Sequence, residues 1–585
     1  MNELQRPQLL NRLWEIQRTH RCIRDKDIYC LANALDVSFI EIEGVVSFYH
    51  FFHREPAGAV TIYVDDSIVA RHAGAEEVLA AFSEATGARE NGVDPSGKFG
   101  LFRTPCIGLS DQTPAALIDF HPFTRLTPEK VRRIVKDLKS GKRPADICDE
   151  VEETIHYLPP NDKTVFFRPF APGRALAQAA SMGQDAVINA IKSAGLSGRG
   201  GAFFPAWVKW NACKQQTAQP KYVVCNADEG EPGTFKDRIL LHKYPDAVLE
   251  GMLVAGYTIG ADTGIIYLRG EYAWLLPELQ HTIDKYRVQG LLGKNAGGIE
   301  GFDFDIRVQL GAGAYVCGEE TALLESLEGK RGEPRTKWYF PVERGFLQQP
   351  TLINNVETLA AAAHILDLGV EDYGRRGLPL EPGAKLVSIS GDCLRPGIYE
   401  VEWGMPVSEL LSLCGAEDPY FIQVSGPSGE TISMAERHRR ISMRDLLSYP
   451  GIRCGGSFMV FNRQRDLVKV LLNFAEFFKH ESCGVCTPCR AGNFILQRKL
   501  EKLDRGLAQP SDLEDIRQWG ALMRAGSRCG LGKTAPNAPI MAIEKFQDYF
   551  TARLSKEGDD LNRVFDLDRA VADYDAVIKK ITSKN

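Results

Sequence analysis

No run of 18 uncharged apolar residues occurs in the 585 residues, so no helical membrane span is expected. Excess positive charge is also missing: 70 Lys and Arg stand against 76 Asp and Glu, a net charge of −6. That balance gives no sign of a basic surface through which nucleic acid or lipid would be held. Residues Met1–Pro7 lack an apolar core, so no secretory signal is expected. The chain has no low-complexity tract and no repeat. Gly532-Lys533-Thr534 resembles the end of a phosphate-binding P-loop, but Ser527 stands where the first glycine is needed, which excludes nucleoside-triphosphate hydrolysis. Gly198-Arg199-Gly200-Gly201-Ala202-Phe203 fails as a dinucleotide fingerprint, because Phe203 occupies the third glycine position. Of 14 cysteines, ten are scattered from Cys22 to Cys454 without a pairing rhythm. They read as reduced thiols, and a cytoplasmic location is expected.

The remaining four cysteines carry the strongest signal. Cys483, Cys486 and Cys489 form C-x2-C-x2-C, and Cys529 follows from a distant loop. Three thiols from one turn of backbone and a fourth from elsewhere suit a [4Fe–4S] cluster. Structural zinc is the alternative, but it usually takes its thiolates as two C-x2-C pairs, which a triplet plus a singlet fits poorly.

Length suggests about three to five domains. Leu9, Leu10, Leu13, Trp14 and Gln17 make one helical stripe within residues 1–55. Strands are expected around Val60–Val64, Gly100–Phe102 and Ala116–Ile118. A helix should start at Thr127-Pro128, with Val131, Ile134, Val135 and Leu138 on its buried face. Residues 1–140 thus read as one small α/β domain, and the Pro-punctuated 141–165 as a linker. From 166 to 380, β-branched runs alternate with helical stretches, the pattern of an α/β layer fold. Residues 381–457 read as a compact strand-turn-strand-helix unit, 458–555 as a helical cysteine-bearing domain, and 556–585 as a charged tail with a helical pattern at Ala570–Ile581.

Three polar or glycine-rich runs interrupt the α/β region. In Gly195–Pro205, followed by Lys209, backbone N–H groups can approach a phosphate that Arg199 and Lys209 would neutralise; a tight turn is the plainer reading. Asn226-Ala227-Asp228-Glu229-Gly230-Glu231 follows the strand Tyr222–Val224, where α/β sheets gather ligands, and suits ribityl or ribose hydroxyls; a solvated turn is the alternative. Gly311–Thr321 opens a helix, and Glu319-Glu320 would suit its dipole whether or not a ligand binds.

Taken in order, Gly198–Gly201, Asn226–Glu229, Tyr315–Thr321, Asn354–Thr358 and Ser482–Arg490 resemble the NADH-binding flavoprotein subunit of respiratory complex I and its relatives. The resemblance covers about residues 166–555. Residues 1–140 are similar to the thioredoxin-like [2Fe–2S] subunit that partners that flavoprotein. There the four cluster cysteines fall on Asp65, Ala70, Cys106 and Ser110, so the resemblance implies the fold without the cluster. The fusion, together with His50-Phe51-Phe52 and the run Gly397–Gly404, most resembles the diaphorase flavoprotein of soluble NAD-reducing nickel–iron hydrogenases. The flavoproteins of NAD-dependent formate dehydrogenase and of a complex I fusion are the nearest alternatives; a non-catalytic electron-relay or assembly subunit is the alternative of another class.

The resemblance implies an α/β multidomain chain: a thioredoxin-like domain, a Rossmann-like FMN and NAD domain, a β-grasp domain, and a C-terminal helical bundle with one [4Fe–4S] cluster. It places Gly198, Arg199, Gly200 and Lys209 at the FMN phosphate, and Asn226, Asp228, Tyr315, Gly318, Glu319, Asn354 and Asn355 along FMN. Phe204, Glu231, Glu320, Lys337 and Phe340 are assigned to NAD(H), with aromatics stacking on adenine. Phe203 is expected to narrow the nicotinamide pocket. The implied partners are a ferredoxin-like iron–sulfur diaphorase subunit and hydrogenase subunits in a hetero-oligomer.

Overall fold

A computed structural model describes residues 5–160, 163–446 and 455–555. The expected Ala570–Ile581 helix lies outside the described residues.

The helix Leu9–His20 buries Leu9, Leu10, Leu13, Trp14 and Gln17, the stripe read from the sequence. Beyond it, five strands pair in the order Gly92–Val93, Phe99–Thr104, Val60–Asp65, Ala116–Ile118 and His121–Phe123. The central strand Val60–Asp65 runs parallel to Phe99–Thr104 and antiparallel to Ala116–Ile118. One sheet face carries Ile62 and Val64 against the helices Ala75–Thr86 and Pro128–Lys139. In the latter, Thr127 Oγ1 accepts from the Lys130 N–H at 3.2 Å, and Val131, Ile134, Val135 and Leu138 are buried. The other face turns Tyr63 toward Phe51 and Phe120, and these rings continue into the core of the rest of the molecule.

The next sheet positions the site. Thr351–Asn355, Tyr222–Ala227, Thr263–Leu268 and Asp305–Leu310 are neighbours in that order, and all pairs are parallel. Their carboxyl ends therefore open at one edge, delivering Asn354-Asn355, the Asn226–Glu231 run, Arg269 and the Gly311 run to a common rim. The helices Pro245–Ile259 and Val356–Leu368 cover one face, and they approach so closely that a Cβ at Gly251 would lie 2.1 Å from the Leu359 carbonyl oxygen.

A six-stranded mixed sheet follows, in the order Glu430–Ser433, Pro419–Val424, Ser457–Asn462, Ala384–Gly391, Gly397–Glu402 and Ile155–Tyr157. Two of these strands depart from the sequence reading. Ile155–Tyr157 falls in the segment expected as a linker, yet pairs parallel to Gly397–Glu402. Three residues are too few to show an alternation, so only the pairing reveals them. Ser457–Asn462 likewise opens the segment expected to be helical, where the helices start at Leu467. The helices Leu467–Glu481, Thr487–Asp504, Pro510–Gly526 and Asn537–Lys545 complete the C-terminal bundle.

Candidate functional site

Cys486 is the N-cap of the helix Thr487–Asp504, Cys489 lies in its first turn, and Cys529 is the N-cap of the short helix Gly530–Thr534. Cys483, Cys486, Cys489 and Cys529 line one pocket. A triplet of thiols and a distant fourth around one pocket suit a [4Fe–4S] cluster, whereas structural zinc usually takes two C-x2-C pairs. N–H donors already face the sulfurs: the Arg528 amide lies 3.3 Å from Cys486 Sγ and Asn493 Nδ2 lies 3.4 Å from Cys489 Sγ. Such hydrogen bonds tune a cluster's potential. Burial holds the Cys529 thiol up at about 11.

At the rim of the parallel sheet lies a cavity of about 320 Å³. Gly200, Asn226, Asp228, Tyr315, Gly318, Glu319, Asn355 and Glu231 line it, which unites eight of the residues expected at the cofactors. Asn226 and Asn355 are adjacent across the parallel pair. Asn226 Nδ2 donates to the Gly318 carbonyl at 2.9 Å and Asn355 Nδ2 to Asp237 Oδ2 at 2.6 Å, so both amides are fixed. Gly200 allows a close approach, since a Cβ there would lie 3.1 Å from Asn355 Cβ. The Asp228 Oδ2 is buried with no partner among the described residues, and burial pushes its carboxyl well above the usual range. An unsatisfied buried acceptor at a cavity wall is costly unless a ligand donor meets it. A polyhydroxylated ligand such as the ribityl chain of FMN supplies such donors, and the residues present fit it. Glu231, raised to about 7 by burial, accepts from Tyr315 Oη at 2.6 Å and from the Ser428 amide at 2.9 Å.

Other expected residues stand elsewhere. Gly198 supports the loop rather than lining the cavity: its amide donates to the Phe204 carbonyl at 2.9 Å. Arg199 is 1% exposed, donating to Tyr373 Oη at 3.1 Å with its guanidinium over Trp403. Its backbone amide donates to Thr358 Oγ1 at 2.8 Å. The Nε and Nη1 of the same guanidinium are buried with no partner among the described residues. Asn354 accepts from Trp210 Nε1 at 2.8 Å behind the wall. Lys209 is paired with Glu320 at 2.7 Å. Phe204 and Phe340 are exposed, Lys337 lies 3.9 Å from Glu319, and these three and Glu320 are not among the residues that line the cavity. Phe203 does not narrow the pocket: with φ of 48° it swings onto Trp403, ring centroids 6.0 Å apart.

Sequence reasoning missed several cavity residues. Lys236 and Asp237 lie beyond the Asn226–Glu231 run, and reading that run six residues further would have reached both. Ser425, Ser428 and Gly455 reach the cavity from the six-stranded sheet, and nothing in their local sequence marks them. Cys529, Leu531 and Val316 line both the cavity and the four-thiol pocket, so the two share a wall.

Three family models match the chain: a Nuo51 FMN-binding domain over residues 191–364, a thioredoxin-like [2Fe-2S] ferredoxin over 2–139, and an NADH-ubiquinone oxidoreductase-F iron-sulfur binding region over 469–553. Together with the cavity and the four thiols, they define a flavin- and iron–sulfur-dependent oxidoreductase chain. The NAD-reducing hydrogenase HoxS subunit alpha of Cupriavidus necator is 45% identical over 98% of this chain and 97% of its own. The NADP-reducing hydrogenase subunit HndC of Solidesulfovibrio fructosivorans is 38% identical over 65% of this chain and 78% of its own. The crystal structure of an NAD+-reducing [NiFe]-hydrogenase in the H2-reduced state superposes with a TM-score of 0.87 at 35% identity, covering 98% of this chain and 97% of that one. The chain belongs to the family of NAD-reducing hydrogenase alpha subunits.

Proposed function

We propose that the chain is the diaphorase subunit of an NAD-reducing hydrogenase, exchanging hydride between NAD(H) and FMN and single electrons with a [4Fe–4S] cluster. The observation that carries this reading is the shared wall of Cys529, Leu531 and Val316, which sets a flavin-sized cavity directly against the cluster thiols.

FMN, when bound, supplies the exchange between a two-electron hydride and single electrons. The chain orients and insulates. Gly200 and Gly201 admit the cofactor to the backbone, Asn226 and Asn355 present amides already fixed by the sheet, and Asp228 accepts hydroxyl donors. Tyr315 closes the cavity beside Glu231, which faces the nucleotide side with Glu320, Lys337, Phe204 and Phe340 along the approach. Cys483, Cys486, Cys489 and Cys529 hold the cluster. Electrons pass onward to a ferredoxin-like iron–sulfur subunit, and the hydrogen-activating chemistry resides on separate hydrogenase subunits. No helix among the described residues is long and apolar enough to cross a membrane, and a cytoplasmic hetero-oligomer is proposed.

The test is hydrogen-dependent NAD+ reduction by the complex purified anaerobically from its host. NADH formed under hydrogen and not under argon supports the reading. Intact NADH-to-dye activity in a native assembly without a hydrogen response would overturn hydrogenase membership and leave the diaphorase chemistry.

A further inference from the structure

The loop Thr104–Asp111 of the N-terminal domain is the segment where the resemblance places two cluster ligands, at Cys106 and Ser110. Its contacts run into the flavin cavity. Arg269, which follows the strand Thr263–Leu268 and is 3% exposed, donates from Nη2 to the Cys106 carbonyl at 2.7 Å and from Nη1 to the Glu229 carbonyl at 2.5 Å. Glu271 fixes the third side of the guanidinium at 3.0 Å. Tyr272, fully buried, donates to Glu229 Oε2 at 3.0 Å, and Gly108 leaves the space its ring occupies: a Cβ at Gly108 would lie 2.2 Å from Tyr272 Oη. Arg238 clamps the same loop from the other side, donating to the Gly108 carbonyl at 2.6 Å and to Asp111 at 2.9 Å.

Glu229 passes this arrangement on. Its carboxylate accepts from the Asp237 amide at 2.8 Å, and Asp237 Oδ2 in turn holds the Asn355 amide. Its carbonyl precedes Gly230 and Glu231, so fixing that peptide fixes where Glu231 emerges. A fork that satisfies acceptors on two domains at once is a task for arginine, which a lysine's single ammonium cannot reproduce.

We propose that Arg269 and Tyr272 are positioning residues through which the loop Thr104–Asp111 sets the Glu229–Glu231 backbone for NAD(H). The N-terminal domain thus supports the nucleotide site from behind its wall. This rests on the diaphorase reading above.

The experiment compares the assembled complex carrying Arg269→Lys or Tyr272→Phe with its parent. FMN and iron per chain, melting temperature, and kcat and KM for NADH with an artificial dye are measured. The expected result for Arg269→Lys is parental FMN and iron, with KM for NADH raised about tenfold and kcat changed much less, the signature of displaced binding groups. Tyr272→Phe, which keeps the ring and removes only the hydroxyl, should raise KM about threefold. If Arg269→Lys does not assemble, Tyr272→Phe decides alone. Parental KM in the assembled variants overturns the proposal, as does a lowered melting temperature with KM unchanged, which would mean that the contact only docks the domain. A parent lacking FMN or NADH oxidation would overturn the diaphorase reading and this inference together; an active parent with unaffected variants overturns this inference alone.

Discussion

Tyr315 bridges two parts of the molecule: its phenol donates to Glu231 at 2.6 Å while its backbone amide donates to Glu481 at 2.9 Å. Glu481 ends the helix that leads to Cys483, so the nucleotide side and the cluster helix meet at one residue. Glu231 is one of two cavity carboxyls that burial raises to about 7, Glu229 being the other. Burial lifts the Glu231 carboxyl from 4.5 to about 7, so it is protonated below that pH and ionised above it. The ionised form accepts the stronger, charge-assisted hydrogen bonds from nucleotide hydroxyls. KM for NADH should therefore fall as pH rises through about 7. Glu231→Gln should raise KM about tenfold at pH 8 with FMN retained, and flatten the profile. Steady-state kinetics between pH 6 and 8.5 checks both; a KM profile left unchanged by the Gln variant would remove Glu231 from this role and assign it to Glu229, which burial also raises to about 7.

Legibility in the sequence followed the range of the interactions. The Leu9–Gln17 and Val131–Leu138 stripes depend on spacing along one helix, and the structure buries those side chains. The Asn226 run was readable as ligand-facing because it follows the strand Tyr222–Val224, whereas Asn355 came only from the resemblance; parallel pairing places the two side by side. The direction of Arg199 was not readable, because it depends on Thr358, Tyr373 and Trp403, which lie far along the chain. Phe203 misled for the same reason: its ring's neighbour, Trp403, comes from a different sheet. Ser428 reaches Glu231 only through the docking of that sheet on the parallel one. Local pattern names the motif, and tertiary packing decides which of its atoms face the ligand.

Gly251→Ala should destabilise the flavin domain without touching the cavity. Its Cβ would stand 2.1 Å from the Leu359 carbonyl oxygen and 2.4 Å from its carbon, so two backbones would have to separate. Alanine's better helix propensity, worth about 1 kcal/mol, opposes this. Overpacking a core costs about 1–3 kcal/mol, and rigid backbone as the obstacle favours the upper end. Differential scanning fluorimetry of the purified complex should show a lower flavin-domain transition; an unchanged or raised one would mean that the helices part freely.

Cys486→Ala should abolish the cluster. It removes the ligand that receives the Arg528 amide at 3.3 Å and leaves three thiols for a site built for four. Iron per chain should fall by about four, and hydrogen-dependent NAD+ reduction should disappear. A full complement of iron in the variant would falsify the ligand assignment.

The N-terminal domain should carry no [2Fe–2S] cluster, although it matches a thioredoxin-like [2Fe-2S] ferredoxin. Of the four corresponding positions only Cys106 is a thiol, and burial pushes it up to about 11, away from the thiolate that iron requires. Its sulfur lies 3.3 Å from Ser110 Oγ. Asp65 accepts from the Ser67 amide at 2.8 Å, so the first position is tied into the loop's own hydrogen bonds. Ala70 lies in the short helix Ile68–His72 and is buried with no donor atom in its side chain. The loop is thus held by protein contacts, Arg269 and Arg238 among them, where a cluster would otherwise hold it. Chemical iron analysis of the full chain should give about four iron atoms, and the reduced chain should lack a [2Fe–2S] resonance in electron paramagnetic resonance. About six iron atoms with such a resonance would require ligands other than Asp65, Ala70 and Ser110, and would return the N-terminal domain to the electron path.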